Sequence, residues 1–139
     1  QVNLSFFSDE LKEVKTHKKE FLEQIERIMP WGELEELVRP CYYEGKRGNK
    51  PYDLELMLRI HLLQNLYNLS DEGTRNEVID SRAFSDFCGV ESSNQIPDGD
   101  TIGRFRNLLI NNHIHEQFFA LVVKTLADRG LILKKGTVV

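Results

Sequence analysis

The fold of this chain is decided by residues 54–66, LELMLRIHLLQNL, which follow a candidate capping residue, Asp53. Apolar side chains occur in this stretch at every phase of the 3.6-residue helical turn. A helix that is apolar on all sides is typical of the centre of a domain, because a surface helix keeps one polar face. We therefore predict a central buried helix that ends near Tyr67. Its apolar residues are Leu54, Leu56, Met57, Leu58, Ile60, Leu62, Leu63 and Leu66.

Helical patterns also precede this segment. Residues 9–29 carry one apolar stripe, which predicts a long helix that ends at Pro30. A short helix is expected from Trp31 to Val38, closed by Pro40, because proline removes a helical hydrogen bond.

The remaining patterns predict four more helices after the central one and two loops, at 41–52 and 89–99. Ser70 precedes two acidic residues, an arrangement typical of a helix start, and Gly89 is a typical C-terminal stop. The predicted helices are 71–80, 82–88, 100–111 with Asp100 or Thr101 as cap, and 114–129. The last residues, LILKKGTVV (131–139), have a β-type pattern. We predict an all-α, compact multi-helix domain with a helix-turn-helix-like core and a short β-inclined C-terminal tail.

Composition limits the class of protein. The chain has 139 residues, 40% of them apolar and 29% charged, which indicates a single folded domain over residues 1–139. Its 18 basic and 22 acidic residues give a net charge of −4, which excludes coating of nucleic acid by bulk charge but leaves room for a local basic site. No apolar run is long enough to span a membrane. Cys41 and Cys88 have no metal-ligand spacing, so we expect two reduced thiols in a cytoplasmic protein.

The sequence offers no catalytic constellation. His113 and His115 form an H-x-H pair at a predicted helix start, but residues two apart on a helix diverge by about 200°, which makes them poor partners in chelation. No phosphate-binding glycine loop or nucleophile motif is visible. We therefore expect no enzyme active site and no metal site in this chain.

Two groups of basic residues are candidate DNA contacts. Lys46, Arg47 and Lys50 lie in a glycine-containing loop, which could run along phosphates or could be an ordinary solvated loop. The helix 100–112 has apolar residues on one side and polar residues on the other. The polar side is expected to hold Gly103, Arg104, Asn107 and Asn111, with Arg106 at its flank.

Arginine and asparagine are the side chains that pair bidentately with guanine and adenine. Arg104, Arg106 and Asn107 are therefore candidates for contacts with base edges, although an ordinary solvated helix face would show the same pattern. Alternatively, the three predicted helices in 53–88 form a helix-turn-helix. Its exposed polar residues would be Arg75, Asn76 and Arg82.

The first predicted helix has two interpretations. Its apolar stripe approximates a heptad seam, which would allow two chains to pair. The same stripe could instead pack against its own domain. The candidate dimerisation residues are Leu11, Val14, Phe21, Leu22 and Ile25.

Three segments of the chain resemble a known family. They are PYDLELMLRIHLLQNLYNLSDE (51–72), IPDGDTIGRFRNLL (96–109) and LADRGLILKKGTVV (126–139). Together they are similar to the N-terminal region of bacterial insertion-sequence transposases of the insertion-sequence-five type, which carry an aspartate–aspartate–glutamate catalytic domain. Asn49 stands where such loops often carry a basic residue, and Gly103 where a larger residue is usual.

The resemblance implies a function and partners. In such transposases a KGTVV-like strand leads into the first catalytic aspartate, so we expect a chain cut just before its catalytic domain and without enzymatic activity of its own. Magnesium is implied for that missing domain and no cofactor for this chain. The implied partners are double-stranded DNA of the terminal inverted repeats, a second copy in a homodimer and the parent's own catalytic domain. The alternative is a protein–protein module with little DNA contact.

Overall fold

The computed structural model describes residues 16–43 and 52–131. Within these ranges the chain forms seven α-helices and no strand, which confirms the all-α prediction. The expected β-inclined tail (131–139) lies outside the described residues except for Leu131, and so do residues 9–15 of the predicted first helix. The predicted start of that helix is wrong, because Thr16 has extended backbone angles and caps a helix that begins at His17. The helices are α1 (His17–Ile28), α2 (Trp31–Tyr43), α3 (Leu54–Leu66), α4 (Asp71–Asp80), α5 (Arg82–Cys88), α6 (Gly99–Asn111) and α7 (His115–Asp128).

Helix α3 is the buried centre of the domain, as its sequence predicts. Nine of its side chains are buried, and α2, α4, α5 and α6 pack around it. Three of the buried side chains on α3 are polar: Arg59, His61 and Gln64. Each of these three lies at the centre of a separate cluster. Burial of a polar side chain costs free energy unless the side chain has partners that offset the cost. The partners of these three residues therefore help to hold the helices in place.

The predicted helix ends around α4 and α5 are confirmed. Ser70 Oγ accepts a hydrogen bond of 2.9 Å from Gly73 N, and Ser81 Oγ accepts one of 3.3 Å from Phe84 N. Both are N-caps that satisfy a free backbone donor. Gly89 ends α5 with a φ of +70°, a backbone conformation that glycine adopts without strain.

The predicted end of the second helix is wrong. Helix α2 continues through Pro40 to Tyr43, and the extra turn buries Tyr42, whose ring packs edge-on to Phe105 at 5.7 Å. Proline removes the hydrogen bond to the carbonyl of Glu36. Because Glu36 and Pro40 are both exposed, water can hydrogen-bond to that carbonyl instead.

The predicted caps of α3 and α6 are also corrected. Asp53 precedes α3 but makes no hydrogen bond that caps it through its side chain. Helix α6 begins earlier than predicted, at Gly99, and its cap is Asp98, whose Oδ1 accepts from Thr101 N at 2.8 Å. Glycine is typical of helix ends, yet Gly99 is the first residue of α6. It packs closely against α4, where a larger residue would meet Glu72.

Arg59 ties three helices together. Its Nη2 donates to Glu26 Oε2 of α1 at 2.8 Å and to Glu55 Oε1 of α3 at 3.0 Å, and its Nη1 donates to the carbonyl of Phe87 in α5 at 2.9 Å. The guanidinium lies 4.3 Å from the centroid of the Trp31 ring, a cation–π contact. The hydrogen bond from Arg59 is the main reason that the pKa of Glu26 is below its usual value.

Candidate nucleic-acid interface

Two glycines allow α4 and α6 to approach closely. A Cβ atom on Gly103 would lie 2.7 Å from Asp71 Oδ2, and one on Gly99 would overlap Glu72 Oε1. Gly99 and Gly103 are four residues apart and share one face of α6. That face is therefore the contact with the first turn of α4. The prediction that Gly103 belongs to the solvent-facing side is wrong, because its backbone is buried against Asp71.

Asp71 is the polar centre of this contact. It accepts hydrogen bonds from Arg106 Nη2 at 2.8 Å and Nε at 3.2 Å, and from Gln64 Nε2 of α3 at 2.8 Å. The two bonds from Arg106 form a bidentate ion pair, which fixes orientation as well as adding energy. The hydrogen bond from Arg106 is the largest reason that the pKa of Asp71 is lowered. Arg106 is thus engaged within the domain, which leaves only part of its guanidinium for a ligand.

Asp98, the N-cap of α6, lies near the other end of the same contact, within electrostatic range of Arg75 and Arg104. The pKa of Asp98 is lowered mainly by its hydrogen bonds with Thr101, and further by the charges of Arg104 and Arg75. Arg104 is exposed, and its Nη2 donates to Thr101 Oγ1 at 3.0 Å. Arg75 is half-buried, and its Nε is buried without a hydrogen-bond partner.

One residue from each of the two DNA-contact surfaces that the sequence offers as alternatives therefore lies within electrostatic range of Asp98. Arg75 of α4 and Arg104 of α6 both lie close to Asp98. Asn76, Arg82 and Asn107 are exposed. We call Arg75, Arg104 and Asn107, with their surroundings on α4 and α6, the α4–α6 face.

Three candidate DNA contacts, Lys46, Arg47 and Lys50, lie outside the described residues. Their relation to the α4–α6 face therefore stays a prediction. Exposed carboxylates, including Glu72 and Asp100, border the face. Because these repel phosphates, the face is suited to a few local contacts and not to a broad electrostatic footprint.

Three of the five candidate dimerisation residues lie within the described residues. Leu22 and Ile25 are buried in the core of their own chain, and Phe21 is half-buried against it. These three residues therefore pack against their own domain. A partner chain could contact Leu22 or Ile25 only by displacing that core. Leu11 and Val14 lie outside the described residues.

A buried histidine pair was not found from the sequence. His61 is 1% exposed, and its ring lies 5.6 Å from that of His115 and 5.4 Å from that of Phe118. Neither ring nitrogen of His61 has a hydrogen-bond partner. In 16–43 and 52–131, no three His, Cys, Asp or Glu side chains group in a way that could hold a metal ion.

The signal for the α4–α6 contact was present in the sequence. Glycines at positions 99 and 103 have the spacing of a close helix approach, but the pattern cannot name the helix that fills it. The sequence gives no signal for the role of Gln64, because a single polar residue in an apolar stretch indicates a buried hydrogen bond only once its partner is known. Asp71 is visible only as an acidic residue at a helix start, which does not indicate its pairing with Arg106.

Fold and site together define a small all-α domain with an exposed polar face built from two helices. A family model described as Transposase domain (DUF772) matches residues 9–108, most of the chain. The chain therefore belongs to this transposase domain family, which connects it to transposition and confirms that part of the resemblance. No solved structure gives a significant match. Among the helices that the structure describes, none is both long and apolar enough to cross a membrane.

Proposed function

We propose that this domain binds duplex DNA through the α4–α6 face, as the recognition part of a transposase of the insertion-sequence-five type. The observation that supports the proposal is that Arg75 and Arg104 lie on two helices joined by the Asp71–Arg106 ion pair and both act electrostatically on Asp98. The two guanidiniums can each donate hydrogen bonds to DNA, although the carboxylates that border the face balance their charge. An exposed Asn107 one turn further along α6 supplies a side chain suited to adenine.

The face suggests how the contacts are divided. Arg75 and Arg82 serve as phosphate contacts, which position a protein on DNA, whereas Arg104 and Asn107 serve as contacts to base edges in the terminal inverted repeats. Helices α4 and α5, joined through Ser81, form the helix-turn-helix-like unit of this proposal. In the parent transposase, magnesium and the catalytic carboxylates belong to a separate catalytic domain.

Salt dependence and mutation test this function. Binding of the 139-residue chain to a duplex selected from a randomised library is expected to weaken with salt with a log–log slope of about −3, for about three neutralised phosphates. Arg104→Ala is expected to weaken binding about tenfold and to relax the selected sequence. Arg39→Ala, which removes an exposed arginine of α2, is the control and should leave affinity unchanged. Equal affinity for selected and scrambled duplexes would contradict sequence recognition.

A second candidate function, homodimer assembly, rests on a groove beside α1. The groove has a volume of about 530 Å³ and is lined by residues that include Glu20, Phe21, Arg27 and Leu131. In a two-fold dimer a patch meets its own copy, so apolar residues and both charges in one groove supply the groups that such a pairing needs. A dimer that dissociates on Phe21→Glu substitution in sedimentation equilibrium is the expected result. A monomer at high protein concentration would exclude this candidate.

A further inference from the structure

We propose that Asp71 and Gly103 are positioning residues for DNA recognition: their contact sets the register of α4 against α6 and so sets the position of Arg75 relative to Arg104. This inference rests on the proposed function and names the residues that shape its site. Neither Asp71 nor Gly103 needs to touch DNA. Both act through the two arginines.

As residue numbers rise along α4, the numbers of the residues that they contact on α6 fall. Asp71 lies against Gly103 and Arg106, Glu72 lies against Gly99, and Arg75 lies near Asp98. A shift of either helix along its axis would therefore break the ion pair and separate the two arginines at once. The register and the spacing of the arginines are coupled by this geometry.

Three further observations show that the register is held firmly. Gln64 is 5% exposed and donates both to Asp71 and, at 3.2 Å, to the carbonyl of Leu69, so Asp71 is anchored to the central helix. Ser70 caps α4 immediately before Asp71. Glycine is a weaker helix former than alanine, and the close approach of Asp71 explains why glycine stands at position 103.

The sign of a charge effect separates positioning from simple electrostatics. Asp71→Asn removes a negative charge beside a DNA-binding face, which by electrostatics alone would tighten DNA binding. If Asp71 is a positioning residue, the weakened pairing with Arg106 instead lowers affinity by about fivefold. Asp100→Asn is the matched control, because it removes an exposed carboxylate from α6, the helix that Asp71 contacts, and leaves the Asp71–Arg106 ion pair in place. We expect Asp100→Asn to tighten binding about twofold.

A second variant tests the register without changing charge. In Gly103→Ala the added methyl meets Asp71 Oδ2 and displaces that carboxylate from its pairing with Arg106, so DNA affinity is again expected to fall about fivefold. Gly32→Ala is its control, because a Cβ there meets nothing within 4 Å; it should leave DNA binding unchanged. Far-UV circular dichroism establishes that each variant is folded.

A readout without DNA keeps the two proposals separable. In Gly103→Ala, movement of Arg75 on α4 away from Asp98, the N-cap of α6, should raise the pKa of the Asp98 carboxyl toward its usual value, as followed by NMR titration. A raised Asp98 pKa with no DNA binding by the unmodified chain would sink the proposed function and support the positioning role. An unchanged Asp98 pKa in Gly103→Ala overturns the positioning role, as does tighter DNA binding by Asp71→Asn.

Discussion

Replacement of Arg59 by alanine is expected to lower the free energy of unfolding by about 3 kcal/mol, measured by urea denaturation. The side chain is 9% exposed and joins α1, α3 and α5. Its loss leaves the carbonyl of Phe87 without the donor that Arg59 provides and opens a cavity under Trp31. The effect is large because one substitution removes packing and hydrogen bonds from three helices.

Two further variants separate the causes. Arg59→Met retains most of the packed volume but none of the donors, so it is expected to cost less than alanine. Arg39→Ala is the control for loss of an arginine ion pair, since Arg39 pairs with Glu35 at 2.9 Å on the surface. An exposed pair of this kind contributes at most about 0.5 kcal/mol. Equal losses in Arg59→Ala and Arg39→Ala would show that Arg59 does not connect the helices energetically.

The helices of this domain could be predicted where their signals are local. The all-apolar pattern of 54–66 and the caps at Ser70 and Gly89 each depend on a few adjacent residues, and the structure confirms them. Pro40 misled the prediction because its effect depends on the exposure of the turn around it. That exposure is a property of the folded chain and does not appear in a local pattern.

The candidate site could be predicted only in part, for a related reason. The exposure of Arg104 and Asn107 follows from helical periodicity and is confirmed. The partner of Arg106 is Asp71, 35 residues away, and no periodicity connects residues at that distance. The helical pattern predicts Gly103 on the polar side, because glycine has no side chain that distinguishes a solvated face from a close contact.

Acidification is expected to destabilise the fold through His61. Burial is the main reason that the pKa of His61 is lowered from 6.5 to about 3, with further contributions from the charges of His115 and Arg106. The rings of Phe105, Phe118 and Phe119 surround it at 5.4–5.8 Å, so a proton on His61 finds no acceptor among them. The neutral imidazole is therefore the form that the folded state accommodates.

The direction of the effect follows from linkage. Above pH 6.5 His61 is neutral in both the folded and the unfolded chain, so it adds no pH dependence. Between pH 6.5 and about pH 3 the unfolded chain binds a proton that the folded chain does not. Stability then falls by about 1.4 kcal/mol for each pH unit, up to roughly 5 kcal/mol over the window.

His61→Phe isolates this contribution, because it retains an aromatic ring among aromatic neighbours and removes the titrating group. Plots of unfolding free energy against pH should be shallower for this variant by about one proton below pH 6.5. Glu26 and Asp71, whose pKa values are lowered by Arg59 and Arg106, supply the acid sensitivity that remains. His17→Gln, at an exposed position, should retain the full slope. Since carboxylates contribute to acid unfolding in every variant, only the difference in slope between His61→Phe and His17→Gln assigns the proton to His61, and equal slopes would assign it elsewhere.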